Sequence, residues 1–195
     1  ARKKDELYLS NIVEADKLFI DLINIPKLIK IIEFIHAGNY RLNHTYSIHR
    51  WKKGYTYLHM GPVPVHPKAI YHFKGQEMFS LLSKIVFPIL NSKPEDGCFA
   101  VIPGSHKANY ERPFSNHPKD NPSLIPVDAS PGDAIIFTEA LTHGSFINTS
   151  GRTRRTLFYC YSVGYMPDWG NLSLSFSDSF HKRLNKQQKK IVGLK

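Results

Sequence analysis

The sequence of 195 residues predicts a mainly β fold with flanking helices, a double-sheet sandwich or jelly roll. Three observations carry this. Apolar residues recur at 3–4 residue spacing before residue 38, polar and apolar residues alternate from Tyr40 onward, and the later β-type runs are short and separated by turn clusters.

The elements follow in order. Residues 1–38 read as a helical lead-in, with Leu18, Phe19, Leu22 and Ile23 on one stripe and Leu28, Ile31, Ile32 and Ile35 on the next. Pro26 breaks the run and suits the first turn of a second helix, and Gly38 is placed to end it. A core spans 40–165. In its first strand Tyr40, Leu42, His44, Tyr46 and Ile48 share one face, opposite Arg41, Asn43, Thr45 and Ser47. Further strands are expected at Tyr55–His59, Leu81–Leu90, Cys98–Ile102, Ala134–Thr138 and Arg155–Val163, between turns such as Lys93-Pro-Glu-Asp-Gly97 and Ser130-Pro-Gly-Asp133, where Asp133 fixes the turn. Residues 109–123, with Pro113, Pro118 and Pro122, form a long polar loop of the kind used as a lid or binding loop. In the tail, 166–195, Asn185 and Gln188 make a capping box for a short basic helix.

Composition narrows the function. The length and 42% hydrophobic content suit one domain with a real core, 1–195, and exclude a disordered chain. No apolar run reaches membrane-spanning length. Cys98 and Cys160 form neither a disulfide framework nor a metal motif, which favours a reduced, cytoplasmic setting. The chain opens on Ala1-Arg2-Lys3-Lys4 without Met, which suggests that an N-terminal portion is missing. A net charge of +10 is scattered over the chain, with small clusters at Arg2–Lys4, Arg152–Arg155 and Lys182–Lys190 and no nucleic-acid motif around them. It implies a solvated basic surface that favours small anionic substrates over nucleic acid. Oligomeric state is not legible.

Ten histidines must be sorted by context. His36, His117 and His181 are expected at the surface, and His44 and His49 on opposite faces of one strand. His143 differs, because Pro131-Gly-Asp-Ala-Ile-Ile-Phe-Thr-Glu-Ala-Leu-Thr-His143 reads as turn, apolar strand and a histidine at the strand mouth. Arg154 and Arg155 then enter an apolar strand, and an arginine there needs an anionic partner, a structural carboxylate or a bound one. His106 and Ser105 suit a structural turn, and Trp51 and Trp169 suit either a pocket or the core. Residue reading alone stops at an anion-binding β-barrel with a two-histidine metal site.

The block Pro94-Glu-Asp-Gly-Cys-Phe-Ala-Val-Ile-Pro-Gly-Ser-His-Lys107, with Gly132-Asp133, His143-Gly-Ser145, Asn148 and Arg154 behind it and Leu58-His59-Met-Gly61 ahead, resembles the phytanoyl-CoA dioxygenase family from about Leu18 to Tyr161. The resemblance implies a double-stranded β-helix of the jelly-roll, cupin-like kind. It also implies an iron(II) and 2-oxoglutarate-dependent dioxygenase that couples decarboxylation of 2-oxoglutarate to hydroxylation of a C–H bond in a small-molecule or acyl substrate. His59 and His143 match the iron-binding histidines. Arg154 matches the arginine that grips the distal carboxylate of 2-oxoglutarate, and Ser145 the hydroxyl that assists it. Where the family has His-x-Asp, this chain has Gly61. Three readings of that departure stand. Glu139, or less well Asp96, supplies the carboxylate; the position is left for a halide, as in related iron halogenases; or the fold serves only to bind a small anion.

Overall fold

The computed structural model describes residues 2–3, 5–61, 71–108, 115–166 and 176–194. Helices, a large sheet and a small sheet are stacked in that order. The strands are β1 (Arg2–Lys3), β2 (Glu6–Ser10), β3 (Tyr40–Arg50), β4 (His72–Lys74), β5 (Glu77–Phe79), β6 (Leu82–Pro88), β7 (Phe99–Val101), β8 (Ile125–Val127), β9 (Ile135–Thr138), β10 (His143–Ser145) and β11 (Arg154–Val163). The large sheet runs β1-β2-β3-β11-β6-β9 and the small one β10-β7-β8, with antiparallel pairing in both. β4 and β5 form a separate ribbon.

Period-two alternation divides the large sheet's residues between two cores. Tyr46, Ile48, Leu82, Val86, Phe137, Phe158 and Cys160 face the small sheet and meet Phe99 there. Ile85, Phe87, Leu157, Tyr159 and Tyr161 face the helices. The two cysteines are free and buried. The helical layer comprises α1 (Lys17–Asp21), α2 (Pro26–Ile35), α3 (Asp178–Arg183) and α4 (Lys186–Ile191). The Asp16 carboxylate caps α1 by accepting the Leu18 N–H at 2.9 Å. Pro26 opens α2, and Gly38, at φ 76°, closes it by donating its N–H to the Glu33 carbonyl at 2.8 Å. Tyr159 and Tyr161 donate their hydroxyls to the Phe19 and Ile23 carbonyls, each at 2.7 Å, and so pin the 19–24 turns to the sheet. The expected capping box at Asn185 and Gln188 is present.

The structure corrects five expectations. The lead-in is not helical from its start, because Glu6–Ser10 pairs with β3 as a strand. Leu18 and Ile31 are exposed although they fit the apolar stripe. On β3 a bulge shifts the register so that Cys160 faces His44 while Tyr161 faces Leu42, leaving Asn43 as the extra residue. His44, Tyr46 and Ile48 therefore point toward the small sheet while Leu42 and Tyr40 pack on the helical side. His36 is buried at the end of α2 rather than exposed: its Nδ1 bonds the Ser80 carbonyl and its Nε2 the Ser83 hydroxyl, each at 2.8 Å. Tyr55–His59 forms no strand and is tied to β10 by the bridge of His59 to His143 and by the Ser145 N–H, which donates to the Thr56 carbonyl at 3.3 Å. Trp169 and residues 109–114 of the long loop lie outside the described residues.

Candidate metal and co-substrate site

The space between the two sheets is lined at one end by His59, Lys84, His143 and Arg154, against the rings of Tyr46 and Phe158. His59 and His143 are backbone partners, each donating its N–H to the other's carbonyl at 2.9 Å, so their rings lie side by side with centroids 4.2 Å apart. His59 Nδ1 meets the Tyr57 carbonyl at 2.9 Å and His143 Nδ1 the Leu141 carbonyl at 2.8 Å. A carbonyl only accepts, so each Nδ1 carries the proton and each Nε2 presents a lone pair. Burial lowers the His143 imidazole to about 3 against the attraction of Glu139, so the ring is neutral and fit to ligate at pH 7.

Glu139 completes the group. It follows β9 directly, and its carboxylate lies with the ligating atoms of His59 and His143 in a cluster whose members are all within 4.8 Å of one another. Among the described residues this is the one His/Cys/Asp/Glu cluster able to hold a metal ion. Burial would raise the Glu139 carboxyl, but the Lys84 ammonium, by its charge and its hydrogen bond, holds it down at about 2. Lys84, on β6, puts Nζ 2.7 Å from Glu139 Oε1, and this partner keeps the ammonium charged despite burial. Gly61 makes room for the carboxylate: a Cβ there would lie 3.0 Å from Glu139 Oε2 and 3.2 Å from its Cβ.

Beyond the histidines lies Arg154, 3% exposed. Nη1 donates to the Gly97 carbonyl, while Nε is buried without a partner. Burial and then the neighbouring Arg50 charge both lower its pKa. Gly97 presents that carbonyl from a φ of 75°, where a Cβ would also strike the Phe146 carbonyl at 2.8 Å. A buried guanidinium with an unpaired N–H has the chemistry to take a carboxylate partner.

The other expected residues fall as follows. Ser145 is buried next to Gly144 of the lining, and its hydroxyl accepts from Arg50 Nη1 at 3.0 Å and from the Thr56 N–H at 2.8 Å rather than from Arg154. Asp96 is remote from the cluster and is bound to Arg152 at 2.8 Å and to the Ser150 hydroxyl at 2.6 Å. Ser105 braces the strand mouth by accepting the Thr142 N–H at 2.8 Å, and His106 packs beside Tyr71. Asp133 accepts the Ser130 N–H at 2.8 Å, as the turn requires. His117 is half-buried and accepts the Lys119 N–H through Nδ1 at 3.2 Å. Sequence reasoning missed Lys84 and Arg50. Arg50 stands opposite Arg154 in the β3–β11 register and is held by Glu6 of β2, with its Nε 2.8 Å from the carboxylate. The only sequence signal was a charged residue at an inward position of an apolar strand.

Comparison with known proteins identifies the family and the fold. The phytanoyl-CoA dioxygenase family model matches residues 13–156. A dioxygenase of Aspergillus fumigatus, af480, is 29% identical over 112 residues, 56% of this chain and 35% of that protein, so the chain spans about a third of that relative's length. HygX from Streptomyces hygroscopicus, solved with nickel and 2-oxoglutarate bound, superposes with a TM-score of 0.76 at 20% identity, covering 86% of this chain and 73% of HygX. The epimerase SnoN of nogalamycin biosynthesis superposes with a TM-score of 0.61 at 15% identity, covering 88% of this chain and 68% of SnoN.

Proposed function

The chain belongs to the phytanoyl-CoA dioxygenase family, and from that membership we propose that it is an iron(II)- and 2-oxoglutarate-dependent dioxygenase hydroxylating a C–H bond of a small-molecule or acyl substrate. The observation that carries the proposal is the convergence of His59, Glu139 and His143 beside the unpaired Nε of Arg154. Two imidazoles and one carboxylate on one side of a cavity form the donor set that suits iron(II) with open positions. When bound, iron and 2-oxoglutarate supply the oxidising power drawn from O₂.

The chain's own residues do the rest. The Tyr57 and Leu141 carbonyls orient the two histidines, and Lys84 steadies Glu139. Arg154 receives the distal carboxylate of 2-oxoglutarate, and Ser145 holds Arg50, which stands opposite Arg154 on β3. Phe99 and Phe137 pack against the His143 ring and keep water from it. Glu139 fills the room above Gly61, which favours a carboxylate ligand over a halide there. HygX has been solved with hygromycin B bound, and by analogy a polar natural-product scaffold is a fitting substrate class to screen here.

The test is anaerobic titration with iron(II) and then 2-oxoglutarate, following the visible metal-to-ligand charge-transfer band. Wild type develops the band and His143→Ala does not. Arg154→Ala raises the Kd for 2-oxoglutarate by roughly 10- to 100-fold, the worth of a charge-assisted hydrogen bond. Folded wild type without a band overturns the proposal and leaves an anion-binding module.

A further inference from the structure

The notch at Gly61 and the length of Glu139 fit one another. The place a Cβ would take at residue 61 is 3.0, 3.2 and 3.6 Å from Oε2, Cβ and Cγ of Glu139, so any side chain at 61 competes with the Glu139 side chain for one volume. The two backbones are fastened together, since the Gly61 N–H donates to the Glu139 carbonyl at 2.8 Å. Gly61 also lies two residues after His59, at a bend that follows the bridge to His143. Lys84 is buried with Glu139 as its carboxylate partner, so the volume needs a negative charge whichever residue brings it.

From these contacts we infer that positions 61 and 139 are interchangeable carriers of a single carboxylate, and that the protein works with it on Glu139 only because residue 61 is glycine. This rests on the metal-site reading above, but the exchange itself concerns two residues and Lys84. An aspartate at 61 carries its carboxyl group one bond beyond Cβ, and Glu139→Ala would clear the contacts at 3.0 and 3.6 Å while keeping the Cβ contact at 3.2 Å. With both side chains present, two carboxylates would crowd one ammonium.

Four proteins test this: wild type, Glu139→Ala, Gly61→Asp and the double variant. Two quantities are read, the metal-free melting temperature and the iron(II) affinity by anaerobic calorimetry. Glu139→Ala leaves Lys84 unpaired and should melt roughly 10 °C lower, with iron affinity reduced more than about 10-fold. Gly61→Asp alone should also melt lower, from crowding. The double variant should regain most of both losses. A double variant no better than Glu139→Ala in either quantity overturns the exchange, as does a Glu139→Ala protein that matches wild type. If wild type itself binds no iron, the metal reading fails, while recovery of the melting temperature still decides the exchange. Should Glu139→Ala not fold, the iron comparison is repeated in a Lys84→Met background, which holds no ammonium to strand; failure of Gly61→Asp to restore affinity there overturns the exchange.

Discussion

Ser145 shows how single residues divide the site's work. Its hydroxyl accepts two hydrogen bonds, from Arg50 and from the Thr56 backbone, and touches none of the three metal-ligand candidates. Because Arg50 stands opposite Arg154, Ser145→Ala should loosen that pair and raise the Kd for 2-oxoglutarate about 5-fold, the worth of one ordinary hydrogen bond, and leave the iron(II) Kd unchanged. Equal losses in both, measured by sequential titration, would make Ser145 a fold residue only. At this scale His143 and Arg154 stood out by their neighbours in sequence, which mark a strand mouth and a strand entry, whereas His59 stood out only through the family resemblance. Lys84, Arg50 and Glu6 did not stand out. Their meaning depends on which residue lies opposite on another strand, and register is set by tertiary packing. Glu139 lay between the two cases, four residues ahead of His143 yet useful only because Gly61 leaves it room.

Elements are joined by contacts that carry their own pH dependence. His36 ends α2 and bridges it to β6 through Ser80 and Ser83, with burial lowering its pKa to about 4. Its folded pKa lies below the ordinary value of 6.5, so the unfolded chain takes up the proton first as pH falls. The stability this histidine contributes is full above about 6.5 and is lost between there and 4. By pH 5 the loss amounts to about 2 kcal/mol. Urea melts at pH 7.5 and 5 should show the wild type losing that much more than His36→Gln; equal losses would remove His36 as a source. The element pattern of the large sheet was largely readable, since period-two alternation survives in β6, β9 and β11. Two features were not. A bulge at Asn43 reverses the facing of Tyr40 and Leu42 without any mark in an otherwise alternating run. Glu6–Ser10 is too short to show a period and is a strand only because β3 offers it an edge.

Across the whole molecule, the net charge of +10 says less about function than the placement of three cations at the inner end of the stack. Arg50 has Glu6 and Lys84 has Glu139, whereas Arg154 has only a carbonyl and an unpaired Nε. A buried charge without a counter-ion costs stability, and the fold retains it where a ligand later supplies the anion. Arg154→Met removes that charge and fills similar volume with an apolar chain. The metal-free variant should therefore melt at or a few degrees above wild type, corresponding to about 1–2 kcal/mol. The order should reverse on loading. Iron(II) with 2-oxoglutarate at 100 times its Kd stabilises wild type by about 2.7 kcal/mol, roughly 5–10 °C, and the variant should gain nothing from 2-oxoglutarate beyond what iron alone provides. Thermal melts of both proteins, empty, with iron(II), and with iron(II) and 2-oxoglutarate, make the comparison. A variant that melts well below wild type when empty would make Arg154 a structural residue whose charge is already satisfied by Gly97. The predicted crossing would identify it as the receptor that the rest of the stack is built to hold open.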